Sequence, residues 1–345
     1  MYDQAEITLQ TGQVECYDPL GQRMDCAGSG QDAEYGTGVI WRAETRFEVQ
    51  GDTVLDTATG LHWLRDAGCG EYPKTWQEGH AFIAQMNCRQ FLGKYDWRLP
   101  NRRELRSLIS HQSTRPALPK QHPFLNVFQG WYWTSTTAAI SPSHAWYVDM
   151  AGGRMFYGGK DQSFMVWPVR GPLAHRLPVT GQCTCHDTLG ERIDCIGSGQ
   201  DGAIQAGQSW PQPRFRVADE GIFDRLTGLT WQRCADLADG EVDWSRALST
   251  IEALNAPSGR RIWRLPNINE LETLVDCSHS RPALAIPVNC LDRPGDVYWS
   301  STTSMYQPDW AWALYMDKGA VGVGHKGQAA FSVWAVHNAH VRTPG

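Results

Sequence analysis

Apolar positions recur at helical spacing in two pairs of segments along this chain of 345 residues. In the later half, Trp244, Ala247, Leu248 and Ile251 fall on one stripe of a helix, with polar residues between them. A corresponding segment of the earlier half begins at Thr75, a residue type that caps helices. Together with the motif described next, the pattern predicts four helices, over residues 75–88, 101–110, 243–256 and 267–276.

The second helix of each pair follows the sequence Trp-Arg-Leu-Pro-Asn, at 97–101 and again at 263–267. Proline disfavours helical backbone at the residue before it, so the chain enters extended, and the asparagine caps the helix that follows. A glutamate three residues later completes a capping box. We expect the tryptophans to anchor this turn and each arginine to form a partly buried ion pair with the glutamate, a structural role rather than a ligand-binding one. These residues are Trp97, Arg98, Glu104, Trp263, Arg264 and Glu270.

The last third of each half lacks helical periodicity. Short runs rich in aromatic and β-branched residues, separated by Gly, Ser and Pro, predict strands near residues 132–136, 144–150, 154–157 and 165–170. Helices followed by a meander of strands indicate an α+β fold.

The same motifs occur twice in the same order, so the chain contains a duplication. Gly-Ser-Gly-Gln-Asp at 28–32 recurs at 197–201, and Arg-Pro-Ala-Leu at 115–118 recurs at 281–284. A repeat of this length is a duplicated domain, since solenoid units run to only about 20–50 residues. We therefore predict a tail at 1–10, a first repeat at 11–171 with a leader at 11–41, a linker at 172–179, and a second repeat at 180–345 with a leader at 180–210.

The ten cysteines of the chain need an explanation. Cys16 with Cys26, and Cys185 with Cys195, enclose matching short polar loops, which is typical of hairpins closed by a disulfide. The sequence lacks the C-x-x-C pairs and spaced histidines of a zinc site. Further disulfides are expected for the pairs Cys69–Cys88, Cys277–Cys290 and Cys183–Cys234. An even count that sorts into pairs indicates an oxidising compartment, namely an extracellular, cell-surface or periplasmic location.

The charge balance restricts the classes of partner. There are 31 basic and 37 acidic side chains, a formal net charge of -6, and no run of Lys and Arg of the kind that binds nucleic acid. No apolar run reaches the roughly 18 residues of a membrane span. The N-terminal residues lack the basic and apolar regions of a signal peptide. We therefore expect no nucleic-acid partner, no membrane span, and a mature exported chain without its signal peptide.

Several motifs that occur in both halves carry a family resemblance. They are Asp-x-x-Thr-Gly-Leu-x-Trp, Trp-Arg-Leu-Pro-Asn-x-x-Glu-Leu and Tyr-Trp-[Ser/Thr]-Ser-Thr, with a closing Val-Trp-Pro-Val-Arg-Gly in the first half. In combination they resemble the Lcl C-terminal domain family, in two tandem copies. The Cys-hairpin leader looks like the segment that often precedes this domain in secreted bacterial proteins. The Arg-Leu-Pro element is also similar to one in formylglycine-generating enzymes and other C-type-lectin-like folds.

The resemblance implies two tandem C-type-lectin-like α+β domains, each with two short helices and a small antiparallel twisted sheet. The second copy departs from the family pattern at two places. Ile262 stands where the motif carries Asp, and the copy closes with Val-Trp-Ala-Val-His at 333–337. We expect these changes to mark a salt bridge or a ligand contact that the second copy has lost.

Known members of the family are mostly surface or secreted binding modules, including an adhesin that recognises sulfated polysaccharide, which implies a binding or adhesion role. Segments 143–162 and 305–328 differ most between the two copies while keeping their glycine spacing, as expected of a surface with a fixed backbone. Aromatic rings beside charges suit stacking on sugars or gripping a protein, the alternative being ordinary strand exteriors. The candidate ligand-binding residues are Tyr147, Asp149, Arg154, Tyr157, Lys160, Tyr315, Asp317, Lys318 and His325. The expected partner is a glycan or a protein at the cell surface, with self-association as a further alternative.

Sequence signals for catalysis are weak. The chain has no Gly-x-Ser-x-Gly, His-Glu-x-x-His or phosphate-loop motif. Asp149 and Asp161 are a carboxylate pair of the kind that glycosidases use, but carboxylates in loops are usually solvated. Copper binding of the formylglycine-generating type would need free thiols among Cys183, Cys234, Cys277 and Cys290. We therefore expect no catalytic site, and an oxidase related to that enzyme is the least favoured alternative.

Metal and cofactor sites are not expected either. Asp32 and Asp201 each lie in a Gly-rich loop without the further oxygen ligands that calcium needs, so a turn-forming role is favoured. The remaining alternative to a binding module is a structural subunit of an extracellular assembly or filament, for which tandem domains with disulfide-closed hairpins are equally suited.

Overall fold

The first leader is a disulfide-closed hairpin followed by one turn of helix. The computed structural model describes residues 7–219, 221–259 and 262–338. Strands β1 (Cys16–Tyr17) and β2 (Arg23–Met24) pair antiparallel, and the short helix α1 (Asp32–Tyr35) follows. The Cys16–Cys26 disulfide closes the hairpin, which confirms the prediction.

The first domain (residues 41–171) holds the two predicted helices between two groups of strands. Its elements are α2 (Ala43–Arg46), β3 (Phe47–Gln50), β4 (Thr53–Asp56), β5 (Leu61–Leu64), β6 (Lys74–Thr75), α3 (Trp76–Cys88), α4 (Arg102–Arg106), β7 (Trp131–Thr137), β8 (His144–Asp149), β9 (Met155–Gly159), β10 (Ser163–Phe164) and β11 (Val169–Arg170). A 3-10 turn at Phe91–Gly93 follows α3.

The second leader and the second domain (residues 210–338) repeat this order. The leader holds β12 (Cys185–His186), β13 (Arg192–Ile193) and α5 (Asp201–Ile204), and the disulfide Cys185–Cys195 closes its hairpin as predicted. The domain holds β14 (Phe215–Ala218), β15 (Gly221–Asp224), β16 (Leu229–Trp231), α6 (Trp244–Asn255), α7 (Ile268–Thr273), β17 (Val297–Thr303), β18 (Trp310–Tyr315), β19 (Ala320–His325) and β20 (Val336–Asn338). Its 3-10 turns are Ala256–Ser258 and Val288–Cys290.

Each domain has an antiparallel four-stranded sheet and an antiparallel three-stranded meander. In the first domain the sheet has the order β11-β5-β4-β3, and in the second domain β14-β15-β16-β20. The closing strand of each domain therefore returns to the strand that carries the Thr-Gly-Leu-x-Trp motif. The meanders are β7-β8-β9 and β17-β18-β19, each with a register shift between its first two strands. Few helices with mainly antiparallel strands make each domain α+β.

All four predicted helices exist, although the second of each pair is shorter than expected. The helix α4 ends at Arg106 because Leu108 and Ile109 already make i to i-3 hydrogen bonds. The amide of Ser110 then bonds the carbonyl of Ala117, which turns the chain away from the helix axis. Leu274 and Val275 tighten the end of α7 in the same way.

The core of each domain lies between the first long helix and the meander. In the first domain, α3 contributes Trp76 and Ile83, which pack with Trp133 of β7 and with Leu99. In the second domain the equivalent cluster is formed by Trp244, Ile251, Trp299 and Leu265. The helical stripe read from the sequence is therefore a core face, because those side chains are the ones that lose their contact with water.

The leaders do not pack in the order of the sequence. The chain divides into two compact units, unit 1 with residues up to Ile40, Trp210–Val275 and residues from Leu284, and unit 2 with Trp41–Ser209 and Asp276–Ala283. Unit 1 thus joins the first leader to the second domain, and unit 2 joins the second leader to the first domain. These units differ from the consecutive repeats at 11–171 and 180–345 that the duplication pattern predicts.

The prediction of three further disulfides is wrong. All six cysteines of the expected pairs Cys69–Cys88, Cys277–Cys290 and Cys183–Cys234 have free thiols. The partners of the last two pairs belong to different units. Cys88 is the exposed last residue of the 13-residue helix α3, about 20 Å long, whereas Cys69 lies before the start of that helix. Spacing along the chain carries no information on such separations, so an even cysteine count did not imply complete pairing.

Candidate functional site

A buried lysine ties each leader hairpin to the domain of its own unit. In unit 2 the Lys160 ammonium donates to the main-chain carbonyls of His186 and Asp187, at 2.9 and 3.0 Å, and lies 4.1 Å from the centre of the Trp76 ring. In unit 1 Lys326 donates to the carbonyls of Tyr17 and Asp18 in the same manner. Burial lowers the pKa of both lysines to about 7.

A buried carboxyl group fixes the end of each leader. One Asp201 oxygen accepts from the Thr136 and Thr180 hydroxyls, both at 2.7 Å, and Asp32 accepts from Thr302 and Thr11 in unit 1. Burial raises the pKa of both aspartates to about 6, although the threonine hydrogen bonds lower it. These aspartates therefore hold leader and domain together, beyond the turn-forming role expected from the sequence.

The predicted ion pairs beside the capped helices are present and buried. Arg98 lies 2.6 Å from Glu104, and Arg264 lies 2.6 Å from Glu270. Burial acts to raise the pKa of Glu104, but Arg98 and His175 outweigh it and hold that pKa at about 2. Trp97 is buried as expected, whereas Trp263 is only partly buried. These residues support the turn structurally.

The strand register gathers aromatic rings on one face of the β7–β9 meander in unit 2. Trp133 lies opposite Tyr147, and Tyr147 lies opposite Phe156, so the three side chains share a face. The Tyr147 ring centre is 4.4 Å from that of Trp131 and 4.7 Å from that of Phe164. Trp133 is buried, but Phe156 is 38% exposed and the others are partly exposed. We call Trp131, Tyr147, Phe156 and Phe164 the aromatic face.

Two charged candidates of the first domain continue this face. Asp149 and Arg154 lie opposite each other, since the Asp149 amide donates to the Arg154 carbonyl at 2.8 Å. Arg154 is exposed, whereas only 8% of Asp149 is exposed. Burial raises the pKa of Asp149, and the amide of Ala151 bonds its carboxylate. The structure therefore brings Tyr147, Asp149 and Arg154 together but leaves Asp149 little accessible surface.

Of the other two candidates of the first domain, Tyr157 borders the aromatic face and Lys160 lies away from it. The Tyr157 ring packs edge-on against Trp146 at 5.3 Å and stacks on the ring of Phe156 at 4.9 Å. Lys160 is fully buried under the leader hairpin. The expectation that Lys160 lies on an exposed surface is wrong, because its ammonium is occupied by leader carbonyls.

The candidates of the second domain lie at two ends of one hairpin. Tyr315, Asp317 and Lys318 lie around the turn between β18 and β19, with the Lys318 ammonium 5.2 Å from the Tyr315 ring centre. His325 lies opposite Trp310 at the other end, 3.5 Å from Asp309. Five residues of strand separate the two groups, about 17 Å. The second domain therefore does not assemble its four candidates into one site.

The meander face of unit 1 has no rings at the positions of Tyr147 and Phe156, although Tyr315 and the buried Phe331 pack together on it. Register places Ala313 and Gly322 opposite each other, at the places of Tyr147 and Phe156 in unit 2. The Tyr315 ring covers this region, because a Cβ on Gly322 would come within 2.9 Å of it. The two copies thus differ on this face, as the comparison of their segments predicts.

Sequence reasoning missed several residues that the structure makes important. Trp131 and Phe164 flank the segment chosen from the sequence, and the period-two spacing of Trp131 and Trp133 was the available signal. The roles of Lys160 and Lys326 were signalled by their equivalence in both copies, which marks structural residues.

The second domain has lost a salt bridge where its sequence departs from the family pattern. In the first domain Asp96 lies 2.9 Å from Arg170. The corresponding Ile262 and His337 form no such pair, and the His337 ring packs edge-on against Trp263 at 4.5 Å. Of the two expected losses, a salt bridge or a ligand contact, the loss of a salt bridge is confirmed.

Neither a cluster of metal ligands nor a membrane-spanning helix occurs in the part of the chain that the structure describes. Across the described ranges, no three His, Cys, Asp or Glu side chains gather in a way that would hold a metal ion. Among the same residues, no helix has the length and apolar character needed to cross a bilayer.

The family assignment rests on motifs that the structure places at the turns and strands described above. The sequence model of the Lcl C-terminal domain matches residues 52–170 and 220–337, together more than half of the chain. No curated protein and no solved structure matches the chain. The two matched segments coincide with the two structured domains and exclude both leaders. The chain therefore belongs to the Lcl C-terminal domain family, of which it carries two tandem copies.

Proposed function

We propose that this protein is a non-catalytic binding protein of the cell surface or extracellular space, and that it recognises a glycan through the aromatic face of unit 2. The observation that carries the proposal is the set of four partly exposed rings on one side of the β7–β9 meander. Aromatic rings on rigid strands present apolar area at little entropic cost, and sugar rings stack on them.

The supporting chemistry comes from the rim of this face. Arg154 is exposed at one end, and Asp161 is exposed in the turn between β9 and β10. Charged groups beside stacked rings bond the hydroxyl or anionic groups of a sugar and tune the association rate. Two disulfide-closed hairpins favour an oxidising location, in line with a role outside the cell. We also infer that each domain is C-type-lectin-like, since two short helices pack against a small antiparallel sheet.

Binding to a glycan array by the soluble chain tests the proposal, with Tyr147→Ala and Phe156→Ala as the variants. Each change should weaken binding by about 1–3 kcal/mol if the ring is an anchor. The matched control is Tyr95→Ala, because Tyr95 lies in the same unit and is 77% exposed away from this face. Melting temperatures measured alongside separate lost binding from lost folding.

Two outcomes would contradict the proposal. Equal glycan binding by Tyr147→Ala, Phe156→Ala and the unmodified chain would exclude the aromatic face as the site. The chain could also fail to bind glycans and instead bind a surface protein saturably, with both changes weakening that binding. This result would show that the aromatic face recognises a protein partner.

A further inference from the structure

The two leaders carry the same glycine loop in the same conformation. Gly28 and Gly30 have φ values of 78° and 73°, and Gly197 and Gly199 have 71° and 68°. The amide between the glycines bonds the second hairpin cysteine in both leaders, at 3.0 and 3.1 Å. Alternating left-handed backbone of this kind turns successive amides towards one point, which forms an anion-binding concavity.

In unit 1 this concavity already holds a carboxylate of the chain itself. The Glu34 side chain, on the helix that follows the loop, accepts from the amide of Gly28 at 2.9 Å and from the amide of Gly30 at 2.6 Å. The loop therefore binds a carboxylate in the one copy where the chain supplies it.

In unit 2 the chain supplies no such group. Ala203 occupies the position of Glu34, because α1 and α5 have the same length and align from Asp32 and Asp201 without a gap. Within the described residues, the amides of Gly197 and Gly199 have no hydrogen-bond acceptor. The loop borders a groove of about 390 Å³ between the leader and α3, so these amides adjoin open space.

A second difference between the copies lies on the facing helix. In unit 1 the apolar side chain of Leu248 faces Gly30, 3.4 Å from where a Cβ on that glycine would be. In unit 2 its counterpart is His80, whose Nδ1 lies 3.1 Å from the equivalent point on Gly199. The His80 Nε2 is buried and has no hydrogen-bond partner. The copy that lacks the internal carboxylate is therefore also the copy that has a histidine ring beside the loop.

We propose that the Gly197–Gly199 loop of unit 2, with His80, binds the carboxylate of an acidic peptide side chain from a partner protein. Amide groups fixed in position bind an anion without the entropic cost of ordering side chains. This site is independent of the aromatic face and therefore goes beyond the function proposed above.

The residues that line the groove favour the side chain of a glutamate or aspartate over a sugar acid. Beside the loop, Ile83, Leu99 and Ile204 present apolar surface to the groove. The side chains of Asn87 and Arg98 also line the groove, but they already bond Trp97 and Glu104. A hexuronic acid would therefore place hydroxyl groups against apolar surface, which costs free energy. A glutamate or aspartate side chain carries only methylene groups behind its carboxylate, as Glu34 does in unit 1.

Titration of the full chain with N-acetylglutamate methylamide tests the proposal by NMR of the backbone amides. The Gly197 and Gly199 signals should shift saturably, whereas those of Gly28 and Gly30 should not. Binding should also raise the pKa of His80, which burial lowers to about 3 in the free protein. The neutral glutamine analogue is the matched control and should bind at least roughly tenfold more weakly, because charge-assisted hydrogen bonds are lost.

Two variants exchange the features of the copies. Ala203→Glu should fill the loop from within and weaken binding at least roughly tenfold, with the fold preserved as in unit 1. Glu34→Ala should open the first loop and create new shifts at Gly28 and Gly30. No saturable shift at Gly197 and Gly199, or unchanged binding in Ala203→Glu, would overturn the proposal. Glucuronate binding as tightly as the glutamate derivative would overturn the assignment to a peptide. Loss of glycan binding in Tyr147→Ala bears only on the aromatic face.

Discussion

Single buried charges decide how each leader is held. Lys160 and Lys326 each donate to two leader carbonyls, which also accept from donors within the leader, and each ammonium lies over a tryptophan ring. Asp32 and Asp201 play the complementary role with threonine hydroxyls. The same residue types at equivalent positions in both copies show that these contacts belong to the fold and not to a ligand.

Replacing Lys160 tests how much its contacts with the leader contribute to the free energy of unfolding. Lys160→Met should destabilise the protein by about 1–3 kcal/mol at neutral pH, because two hydrogen bonds between the lysine and leader carbonyls are lost. Burial lowers the lysine pKa to about 7, while an unfolded lysine titrates near 10.4. Between these values the unfolded chain binds more protons, so the free energy of unfolding of the unmodified protein rises with pH.

The loss caused by Lys160→Met should therefore grow between about pH 7 and about pH 10 in urea unfolding. Lys120→Met, at an exposed lysine of the same unit, is the control and should leave both stability and its pH dependence unchanged. A stability loss that stays constant across this range would show that the buried ammonium keeps a normal pKa.

Cysteine pairing is a second prediction at the residue scale. Peptide mapping under non-reducing conditions should recover Cys16–Cys26 and Cys185–Cys195 as disulfides and the other six cysteines as thiols. Replacing both cysteines of one hairpin by serine should cost about 2–3 kcal/mol, because a short closed loop loses its constraint on the unfolded chain. Free thiols at the four hairpin positions would contradict both the structure and the oxidising location.

At the scale of elements, capping chemistry predicted where helices begin. Asn101 and Asn267 accept from the main-chain amides of the first turn, and their glutamates bond back, as the capping boxes require. Thr75 caps α3 in the same manner. Helix ends were predicted less well, because the chain leaves α4 and α7 through contacts with distant segments that no local pattern contains.

The stability that a helix cap contributes should depend on how deeply the capping residue is buried. Thr75→Ala should cost about 1 kcal/mol, since that cap lies at the surface. Asn101→Ala should cost more, about 2–3 kcal/mol, because Asn101 is buried and also donates to the carbonyl of Ala206 in the second leader. Chemical denaturation of the two variants measures the difference, and equal losses would show that the leader contact contributes nothing.

At the scale of the whole molecule, the main finding is that each leader packs on the domain of the other repeat. The Gln13 side chain of the first leader bonds both the amide and the carbonyl of Thr303 in the second domain, at 2.9 and 2.8 Å. Gln182 of the second leader bonds Thr137 of the first domain at the same distances. The two contacts are equivalent, so one geometry serves both leaders.

Hydrogen exchange in the full chain tests this arrangement. Gln13→Ala should accelerate exchange in β17 of the second domain and leave β7 of the first domain protected, because β17 loses its leader contact. Gln182→Ala should do the reverse and is the matched control. Faster exchange at β7 in Gln13→Ala would show that the first leader packs on the first domain instead.

Residue types and their spacing were enough to predict the duplication, the α+β class, the four capped helices and the two hairpin disulfides. Those features follow from contacts between residues close in the chain, where spacing and residue type carry the physics. The packed fold was needed to show which domain each leader joins, which cysteines stay free, that Lys160 is buried, and that Trp131 and Phe164 complete the aromatic face. These outcomes depend on strand register and on packing between segments far apart in sequence. Both domains carry an equivalent threonine, Thr137 or Thr303, that bonds a leader glutamine, so local sequence does not tell which leader each domain holds.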